Sequence, residues 1–174
     1  MSERLKRDFY LRDINIVAEE LLGKIIVRKF DTGIEKQFRI SEIEMYVGEE
    51  DLACHAAKGR TKRTEVMYRK GGRVYVYLIY GIYWLLNIVT GSEDEPQAIL
   101  IRSVEGIDGP GKLGKKLQLD KSFYGEDLGN SNRLWIEDDG VLCNYTTHPR
   151  INVEYSGEFW KNKLYRYKIE KVLF

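Results

Sequence analysis

The chain has 174 residues, of which 43% are hydrophobic and 32% are charged, a balance typical of one globular domain over residues 1–174. Three prolines and an aromatic share of 12% argue against a disordered chain. The formal net charge of +1 neither indicates nor excludes a nucleic-acid partner, so the distribution of charge has to decide.

Hydrophobic spacing and turn residues predict a strand-rich fold with two helices. In chain order, the expected elements are a helix at 14–22, strands at 24–30, 37–47, 74–80, 82–89 and 97–104, a helix from Pro110 to 119, and strands at 150–155 and 164–173. Asp13 can cap the first helix, Gly23 can end it, and Gly114 weakens the second. Short turns between successive strands favour mainly antiparallel pairing.

The chain contains two cysteines, Cys54 and Cys143, and two histidines, His55 and His148. The spacing of these four residues does not match a zinc site, so no metal is expected. Two cysteines are also few for a small secreted domain, which would usually carry more. The most apolar run, residues 74–89, is too short to cross a bilayer, and the N-terminus lacks an apolar stretch of signal-peptide length. We therefore expect no membrane partner and a reducing cytoplasm as the compartment.

An acidic residue interrupts the second predicted strand. Alternation places Ile43 on one face, which is typical of a core, and Glu44 with Tyr46 on the other. Phe38 and Ile40 are expected on the face of Glu44. A solvated strand end explains this pattern most simply. The alternative is a carboxylate at the lip of a cleft beside an aromatic ring, where it could act as a general base.

Four tyrosines follow within residues 74–89. Tyr75 and Tyr77 share one strand face, and core packing explains them. Tyr80 stands beside Gly81, which permits a sharp turn, so its ring can project from the tip of a hairpin. Exposed aromatic or apolar tips are used as wedges between base steps of DNA.

Two polar residues interrupt apolar strands, Asn87 in LLNIV and Arg102 in ILIRSV. Buried polar groups need hydrogen-bond partners, and a buried arginine needs an anion. Either Glu44 or a phosphate could be the anion that pairs with Arg102. A purely structural role for both residues is the alternative.

Residues 58–73 carry seven Lys or Arg residues and a single acid, Glu65. This segment can be a solvated basic loop or a surface that contacts a phosphate backbone. Its position between the acidic strand and the tyrosine hairpin favours the second interpretation. Arg60, Lys62 and Arg63 are the candidate contacts.

The stretch GIDGPGKL, residues 106–113, nearly matches a phosphate-binding P-loop. Leu113 stands where Ser or Thr would have to hold magnesium, so an NTPase is not expected. A helix start that carries Lys112 can still contact a DNA phosphate.

Six blocks, in this order, resemble the alkyladenine (3-methyladenine) DNA glycosylase family. They are ISEIEMYVGEEDLACHA, RTKRTEVMY, GRVYVYLIYGIYWLLNIV, AILIRSVEG, GPGKLGKKLQLDKSFYGEDL and PRINVEY. The resemblance covers nearly the whole chain. It implies a mixed α/β domain of the α+β class, built around a curved, mainly antiparallel sheet with a few flanking helices, and it implies no cofactor.

The resemblance also implies roles for individual residues. Glu44 would activate the attacking water, and Arg102 and the carbonyl group of Ile151 would help to place that water. The expected base pocket consists of Tyr46, His55, Tyr77, Asn87, Leu100 and Ile151. Within it, Asn87 would crowd the two-amino group of guanine and so disfavour the normal base.

A second group of residues would contact the DNA itself. Tyr80 would enter the gap left by a flipped nucleotide, with Ile82 and Tyr83 beside it. The sequence departs from the family pattern at two positions in these regions. Thr64 replaces a common asparagine in the basic segment, and Ile82 replaces a common methionine or histidine at the tip.

The expected function is that of a monofunctional DNA repair glycosylase. It would act as a monomer on double-stranded DNA, flip out alkylated or deaminated purines, and hydrolyse the N-glycosidic bond with an activated water. Candidate substrates are 3-methyladenine, 7-methylguanine, hypoxanthine and ethenoadenine. The alternatives are a non-catalytic nucleic-acid-binding module on the same fold and an RNA-modifying enzyme. The set of Glu44, Tyr46, Tyr80 and Asn87 argues against both.

Overall fold

A computed structural model describes residues 1–173. The strands in these residues are β1 (Glu3–Arg4), β2 (Ile25–Lys29), β3 (Glu35–Val47), β4 (Val74–Ile79), β5 (Tyr83–Thr90), β6 (Gln97–Val104), β7 (Ile107–Asp108), β8 (Leu134–Asp138), β9 (Leu142–His148) and β10 (Arg166–Leu173). The α-helices are α1 (Arg7–Tyr10), α2 (Ile14–Leu21), α3 (Pro110–Lys116) and α4 (Gly157–Lys161). None of the helices described here is long and apolar enough to span a bilayer.

Antiparallel pairing joins the strands into a curved sheet in the order β1-β8-β2-β3-β6-β5-β4. Strand β10 pairs with both β3 and β9, and β7 pairs with β6. Short 3₁₀ turns complete the connections, at His55–Lys58, Glu65–Tyr68, Lys121–Phe123 and Glu154–Ser156. The predicted α+β class with a mainly antiparallel sheet is therefore confirmed.

Strand β3 changes its partners and its alternation along its length. Its first part pairs with β2 and its later part with β6 and β10. The register with β6 shifts at residues 40–43, and such irregularities change which face a side chain occupies. Phe38, Ile40 and Ile43 consequently join one core cluster. The expectation that Phe38 and Ile40 share the face of Glu44 is wrong for this reason.

The two faces of the sheet carry two separate hydrophobic clusters. On β4, Val74 and Val76 belong to the larger cluster, which includes apolar side chains of α2 and α3. Tyr75 lies between them in sequence and belongs to the smaller cluster with residues of the segment 54–68. Since alternate strand residues face opposite sides, this segment covers the face that α2 and α3 leave free.

Helix α3 approaches the sheet more closely than a helix with side chains at every position could. A Cβ atom on Gly114 would lie 1.9 Å from the carbonyl oxygen of Trp84 on β5. Glycine in a helix interior costs roughly 1 kcal/mol relative to alanine, which is the weakness that the sequence indicated. The close approach explains why glycine is nevertheless used there.

Most predicted elements are confirmed, with ends that differ by a few residues. Asp13 caps α2 by accepting a hydrogen bond from the N–H of Asn15, and Gly23 follows the helix with φ of 82°. The two-residue strands β1 and β7 and the short helices α1 and α4 were not predicted, and neither were two longer strands, β8 and β9. The alternation of buried Leu134 and Ile136 on β8 could have indicated the first, whereas β9 has mostly exposed or half-buried side chains.

The predicted strand at residues 150–155 is wrong. Asn152 has φ of 58°, which a strand does not allow, and a 3₁₀ turn follows at Glu154–Ser156. Ile151 and Val153, whose alternation suggested a strand, instead line a cavity. The chain turns here because the N–H of Ile151 donates a hydrogen bond to the carboxylate of Glu44 and the guanidinium of Arg150 binds Asp51.

Candidate active site

A cavity of about 650 Å³ lies on the face of the sheet that the segment 54–68 covers. Its walls come from strands β3 to β6, from residues 53–55, from residues 108–112 at the start of α3, and from residues 151–155. The cavity is lined by eight residues predicted for catalysis or base binding: Glu44, Tyr46, His55, Tyr77, Asn87, Leu100, Arg102 and Ile151. Residues from six separate stretches of the sequence therefore meet in one place.

Sheet register aligns the polar residues on the floor of the cavity. Glu44 on β3 lies opposite Leu100 on β6, which lies opposite Asn87 on β5, which in turn lies opposite Tyr75 on β4. Directly opposed residues of an antiparallel sheet point to the same face. The row therefore runs across four strands and directs all of these side chains towards the cavity side of the sheet.

Glu44 has no solvent-exposed area, although it lines the cavity. Its Oε1 accepts a hydrogen bond from the N–H of Ile151 at 2.8 Å, and its Oε2 accepts one from the hydroxyl of Tyr46 at 2.8 Å. The interpretation as a solvated strand end is therefore wrong. The carboxylate lies deeper than the lip of the cleft, held at both oxygens.

Burial raises the pKa of Glu44, because a carboxylate that loses water is penalised in its charged form. The positive charge of Arg102 and the hydrogen bonds from Ile151 and Tyr46 oppose this effect without cancelling it. A raised pKa makes the carboxylate a stronger base than a solvated glutamate. The group remains able to accept a proton once it is ionised.

Arg102 provides the counter-charge for Glu44. Its Nη1 lies 3.3 Å from Oε1 of Glu44, and its Nε lies 3.9 Å from Oε1 of the neighbouring Glu42. The Nε is buried, and in the described residues it finds no hydrogen-bond acceptor. Arg102 thus balances the charges of two carboxylates. The sequence left open whether Glu44 or a phosphate is the anion for Arg102, and the structure pairs Arg102 with Glu44.

Aromatic rings form the wall above the carboxylate. The ring centroids of His55 and Tyr77 are 4.6 Å apart, and those of Tyr75 and Tyr77 are 5.4 Å apart. Nδ1 of His55 and the hydroxyl of Tyr75 are 2.8 Å apart, a hydrogen bond that holds the imidazole in place. Tyr75 thus does more than fill the core, the explanation that the sequence suggested.

Burial, together with the smaller effects of the positive charges of Arg63 and Lys58, lowers the pKa of His55 to about 4. The imidazole is therefore neutral at pH 7. Burial likewise raises the pKa of Tyr46, and the negative charge of Glu44 adds to this effect. The aromatic rings beside Glu44 are therefore uncharged at pH 7, while the floor beneath them carries the carboxylate of Glu44 and the guanidinium of Arg102.

Asn87 is buried, and its side-chain N–H group donates a hydrogen bond to the carbonyl oxygen of Tyr75 at 3.1 Å. This bond satisfies the buried amide and fixes its orientation at the cavity. Asn87 therefore both forms a structural hydrogen bond to Tyr75 and lines the cavity.

The turn between β4 and β5 carries an exposed aromatic tip. Tyr80 has φ of 50° and is 83% exposed, and Gly81 follows with φ of 66°. Ile82 is also exposed at the tip, whereas Tyr83 is half-buried against α3, where the ammonium group of Lys115 lies 4.7 Å from its ring centre. Of the three residues expected to contact the DNA stack, Tyr80 and Ile82 are free to do so.

The basic segment is exposed beside the cavity, although its charges differ in availability. Arg60 forms ion pairs with Glu65 and Asp94, at 3.0 and 3.3 Å. The guanidinium of Arg63 lies 5.2 Å from the ring centre of Tyr77, and Lys62 is exposed. The salt bridges of Arg60 weaken its candidacy as a phosphate contact relative to the other two.

Thr64 stabilises the basic segment from within. Its hydroxyl donates to the carbonyl oxygen of Gly59 at 3.0 Å and accepts from the N–H of Thr61 at 2.9 Å. A short polar side chain is therefore sufficient to close this loop. Lys112, the last of the predicted backbone contacts, is exposed at the edge of the cavity.

Sequence reasoning missed a buried ion pair behind the carboxylate, Asp51 with Arg150. It also missed Tyr155, which lines the cavity and donates a hydrogen bond to the carbonyl oxygen of Ala53 at 2.9 Å. Asp51 and Arg150 are about a hundred residues apart in the chain, and no local pattern connects them. Within the described residues, no cluster of three His, Cys, Asp or Glu side chains is arranged to hold a metal ion.

Comparison with known proteins provides an independent line of evidence. A model of the family described as methylpurine-DNA glycosylase matches residues 8–109 and 106–172. A protein from Legionella pneumophila strain Corby is 44% identical over 96% of this chain and 94% of its own length. Proteins from Rickettsia felis and Psychrobacter cryohalolentis are 42% and 39% identical, over 97% and 96% of this chain and 94% and 92% of their own lengths. Each is named as a candidate 3-methyladenine DNA glycosylase.

Proposed function

Because the chain belongs to the methylpurine-DNA glycosylase family, we propose that it flips alkylated purines out of duplex DNA and hydrolyses their N-glycosidic bonds with water activated by Glu44. The observation that carries this proposal is a buried carboxylate at the floor of an aromatic cavity. Its two oxygens already accept hydrogen bonds from Ile151 and Tyr46, so its orientation is fixed before substrate arrives.

The cavity suits a purine by size and by character. Small-molecule sites commonly measure roughly 300 to 1,000 Å³, and this cavity measures about 650 Å³. A flat, extruded base can stack on aromatic rings, which is worth about 1–3 kcal/mol per base. Tyr46, His55 and Tyr77 offer such rings. Alkylation at N3 or N7 makes the purine cationic, and electron-rich rings beside a neutral imidazole favour such a base.

Extrusion of the base requires something to replace it in the DNA stack. A base inside a duplex cannot be reached by an enzyme, and flipping costs a few kcal/mol, least for poorly paired, damaged bases. Tyr80 is exposed on a tight turn at the edge of the cavity, which supports a role as the inserted wedge. Lys62, Arg63 and Lys112 would neutralise phosphates nearby.

The chemical step follows from the placement of Glu44 and Arg102. The oxygen of water forms a bond to C1′ of the sugar as the bond from C1′ to the purine nitrogen breaks. The electron pair of that bond leaves with the purine, and Glu44 takes a proton from the water. The ionised carboxylate also stabilises the cationic sugar that develops, and Arg102 holds the carboxylate in place.

We further propose that the reaction leaves an abasic site without cutting the strand. Strand cleavage by an amine nucleophile needs a lysine that can reach C1′ and form a Schiff base. Among the described residues that line the cavity, Lys112 is the only lysine, and its side chain is exposed, whereas Glu44 is completely buried. One chain supplies every group in this scheme, so a monomer suffices.

The choice of substrate would depend on Asn87 and the aromatic residues of the cavity rather than on Glu44. The amide of Asn87 is fixed by its bond to Tyr75, which supports its role in crowding the two-amino group of guanine. Candidate substrates are 3-methyladenine, 7-methylguanine, hypoxanthine and ethenoadenine.

A panel of duplexes that each carry one of these lesions, incubated with the protein, tests the proposal. Release of free base with alkali-labile sites and intact strands is expected, and DNA binding without base release would indicate a non-catalytic module.

The pH dependence of base release should follow Glu44. Under single-turnover conditions with 7-methylguanine in duplex DNA, the rate is expected to rise with pH through a midpoint above the ordinary glutamate pKa of 4.5. Below the midpoint Glu44 is protonated and cannot accept a proton, and above it the carboxylate is available. His55 gains charge only near pH 4 and does not set this limb. A rate that instead increases as the pH falls would contradict the role of Glu44.

A further inference from the structure

Behind the cavity, Asp51 and Arg150 form an ion pair whose side chains are both completely buried. Nη1 of Arg150 lies 2.5 Å from Oδ2 of Asp51, and Nη2 lies 2.9 Å from Oδ1. Replacing a buried ion pair with apolar residues is often neutral or stabilising, because desolvation offsets the attraction. Stability alone therefore does not account for a completely buried pair, and its other contacts point to a role.

The contacts of Arg150 reach both groups that hydrogen-bond to Glu44. Arg150 directly precedes Ile151, whose N–H donates to Oε1 of Glu44. The guanidinium of Arg150 also lies 4.9 Å from the ring centre of Tyr46, whose hydroxyl donates to Oε2. In addition, Nη1 donates to the carbonyl oxygen of Met45 at 2.9 Å. One side chain thus anchors the strand of Glu44 and both of its donors.

Asp51 holds the other side of the same arrangement. Its Oδ2 accepts from the N–H of Val47 at 3.1 Å, at the end of β3. Its Oδ1 accepts from the N–H of Ala53 at 3.1 Å, two residues before His55. The carboxylate therefore connects the strand that carries Glu44 to the segment that carries the imidazole of the cavity wall.

We propose that Asp51 and Arg150 are a positioning pair for the general base, which keeps the N–H of Ile151 and the hydroxyl of Tyr46 on the two oxygens of Glu44. This inference rests on the proposed role of Glu44. Neither Asp51 nor Arg150 lines the cavity, so the pair acts through Glu44 rather than on the substrate. Misplacement of a reacting group by about 1 Å can cost roughly a hundredfold in rate.

Two conservative variants test the pair, Arg150→Lys and Asp51→Asn. Lysine keeps the charge and loses the two-pronged contact, so both donors to Glu44 become mobile. Since these donors hold the pKa of Glu44 down, the pKa is expected to rise. Asparagine keeps the shape and removes the negative charge, so the unbalanced charge of Arg150 should lower the pKa of Glu44. The groups that face Glu44 in either titration are Tyr46, Arg102, Arg150, Tyr77 and Tyr155.

The first measurement is the titration of the Glu44 side chain by carbon-13 NMR in the free protein. It needs no DNA and no activity, so it separates the inference from the proposed function. If the wild-type protein released no base, the proposed function would fail, and the titration would still test the pair. Opposite shifts of the Glu44 pKa in the two variants are expected. An unchanged Glu44 titration in both would overturn the proposal.

The second measurement is single-turnover excision with DNA saturated by protein. We expect the rate of Arg150→Lys to fall about a hundredfold, while its affinity for a duplex that contains an abasic-site analogue stays close to that of the wild type. A matched control is Arg39→Lys, since Arg39 makes a similar two-pronged contact with Asp139, and neither of these residues lines the cavity or contacts Glu44 or its two donors. That variant should lose thermal stability and keep its rate. Equal rate losses in both variants, in proportion to their loss of stability, would overturn the positioning role.

Discussion

Replacing Glu44 with Gln is expected to slow the release of alkylated purines from duplex DNA by about 10²- to 10⁴-fold, the range that a positioned general base contributes. The amide has the same shape as the carboxyl group and cannot accept a proton from water at neutral pH. It also cannot stabilise a cationic sugar. The measurement is the single-turnover rate of base release at saturating protein, so that altered DNA affinity does not enter.

DNA binding by the Glu44→Gln variant should be retained, because the exposed groups proposed to contact DNA, among them Lys62 and Tyr80, are unchanged. A matched control is Glu42→Gln on the same strand. Glu42 is also buried, which raises its pKa, but the hydrogen bonds from Arg166 and Ser103 and the charges of Arg102 and Arg166 together hold its pKa below the ordinary value. It does not line the cavity, so its loss should cost much less rate. Near-normal excision by Glu44→Gln would show that another group activates the water.

The second large effect is expected from Tyr80→Ala. Loss of one aromatic stacking partner costs about 1–3 kcal/mol, which lowers the population of the flipped state about 5- to 150-fold. The side chain is 83% exposed, so its removal leaves the core intact and the variant should unfold at nearly the wild-type temperature. The measurement is single-turnover excision from a duplex that carries one alkylated purine.

A substrate control separates the wedge from other roles of Tyr80. In single-stranded DNA the damaged base needs no replacement in a duplex stack, so Tyr80→Ala and the wild type should release it at similar rates. A Tyr80→Trp variant should retain most of the duplex activity because it keeps an aromatic face. Equal rates for wild type and Tyr80→Ala on duplex DNA would remove the wedge assignment.

The hairpin that carries Tyr80 could be predicted because its information is local. Apolar and aromatic residues on either side of Gly81 indicate two strands, and the glycine indicates the turn. Backbone conformation at such a turn depends mainly on neighbouring residues. The same reasoning located α2 from its cap at Asp13 and α3 from Pro110, although not the packing reason for Gly114.

Local reasoning failed where distant contacts determine the backbone. The segment 150–155 has the apolar alternation of a strand, yet the guanidinium of Arg150 is held by Asp51 and the N–H of Ile151 by Glu44. These bonds to side chains distant in the sequence outweigh the local preference. The shift of alternation at residues 40–43 of β3 has a similar origin, since it depends on the register with β6.

The sequence by itself determined the strand-rich fold class, the tyrosine hairpin, and the residue types available for hydrolysis, and its blocks identified the family. It left Glu44 as either a solvated strand end or a candidate base, because alternation within one strand does not report burial. Tertiary structure decided that question. Strand register places Glu44 in one row with Leu100 and Asn87, and burial raises the pKa of its carboxyl group. The physical reason is that burial and proton affinity depend on what surrounds a group in space, which pairing between distant strands determines.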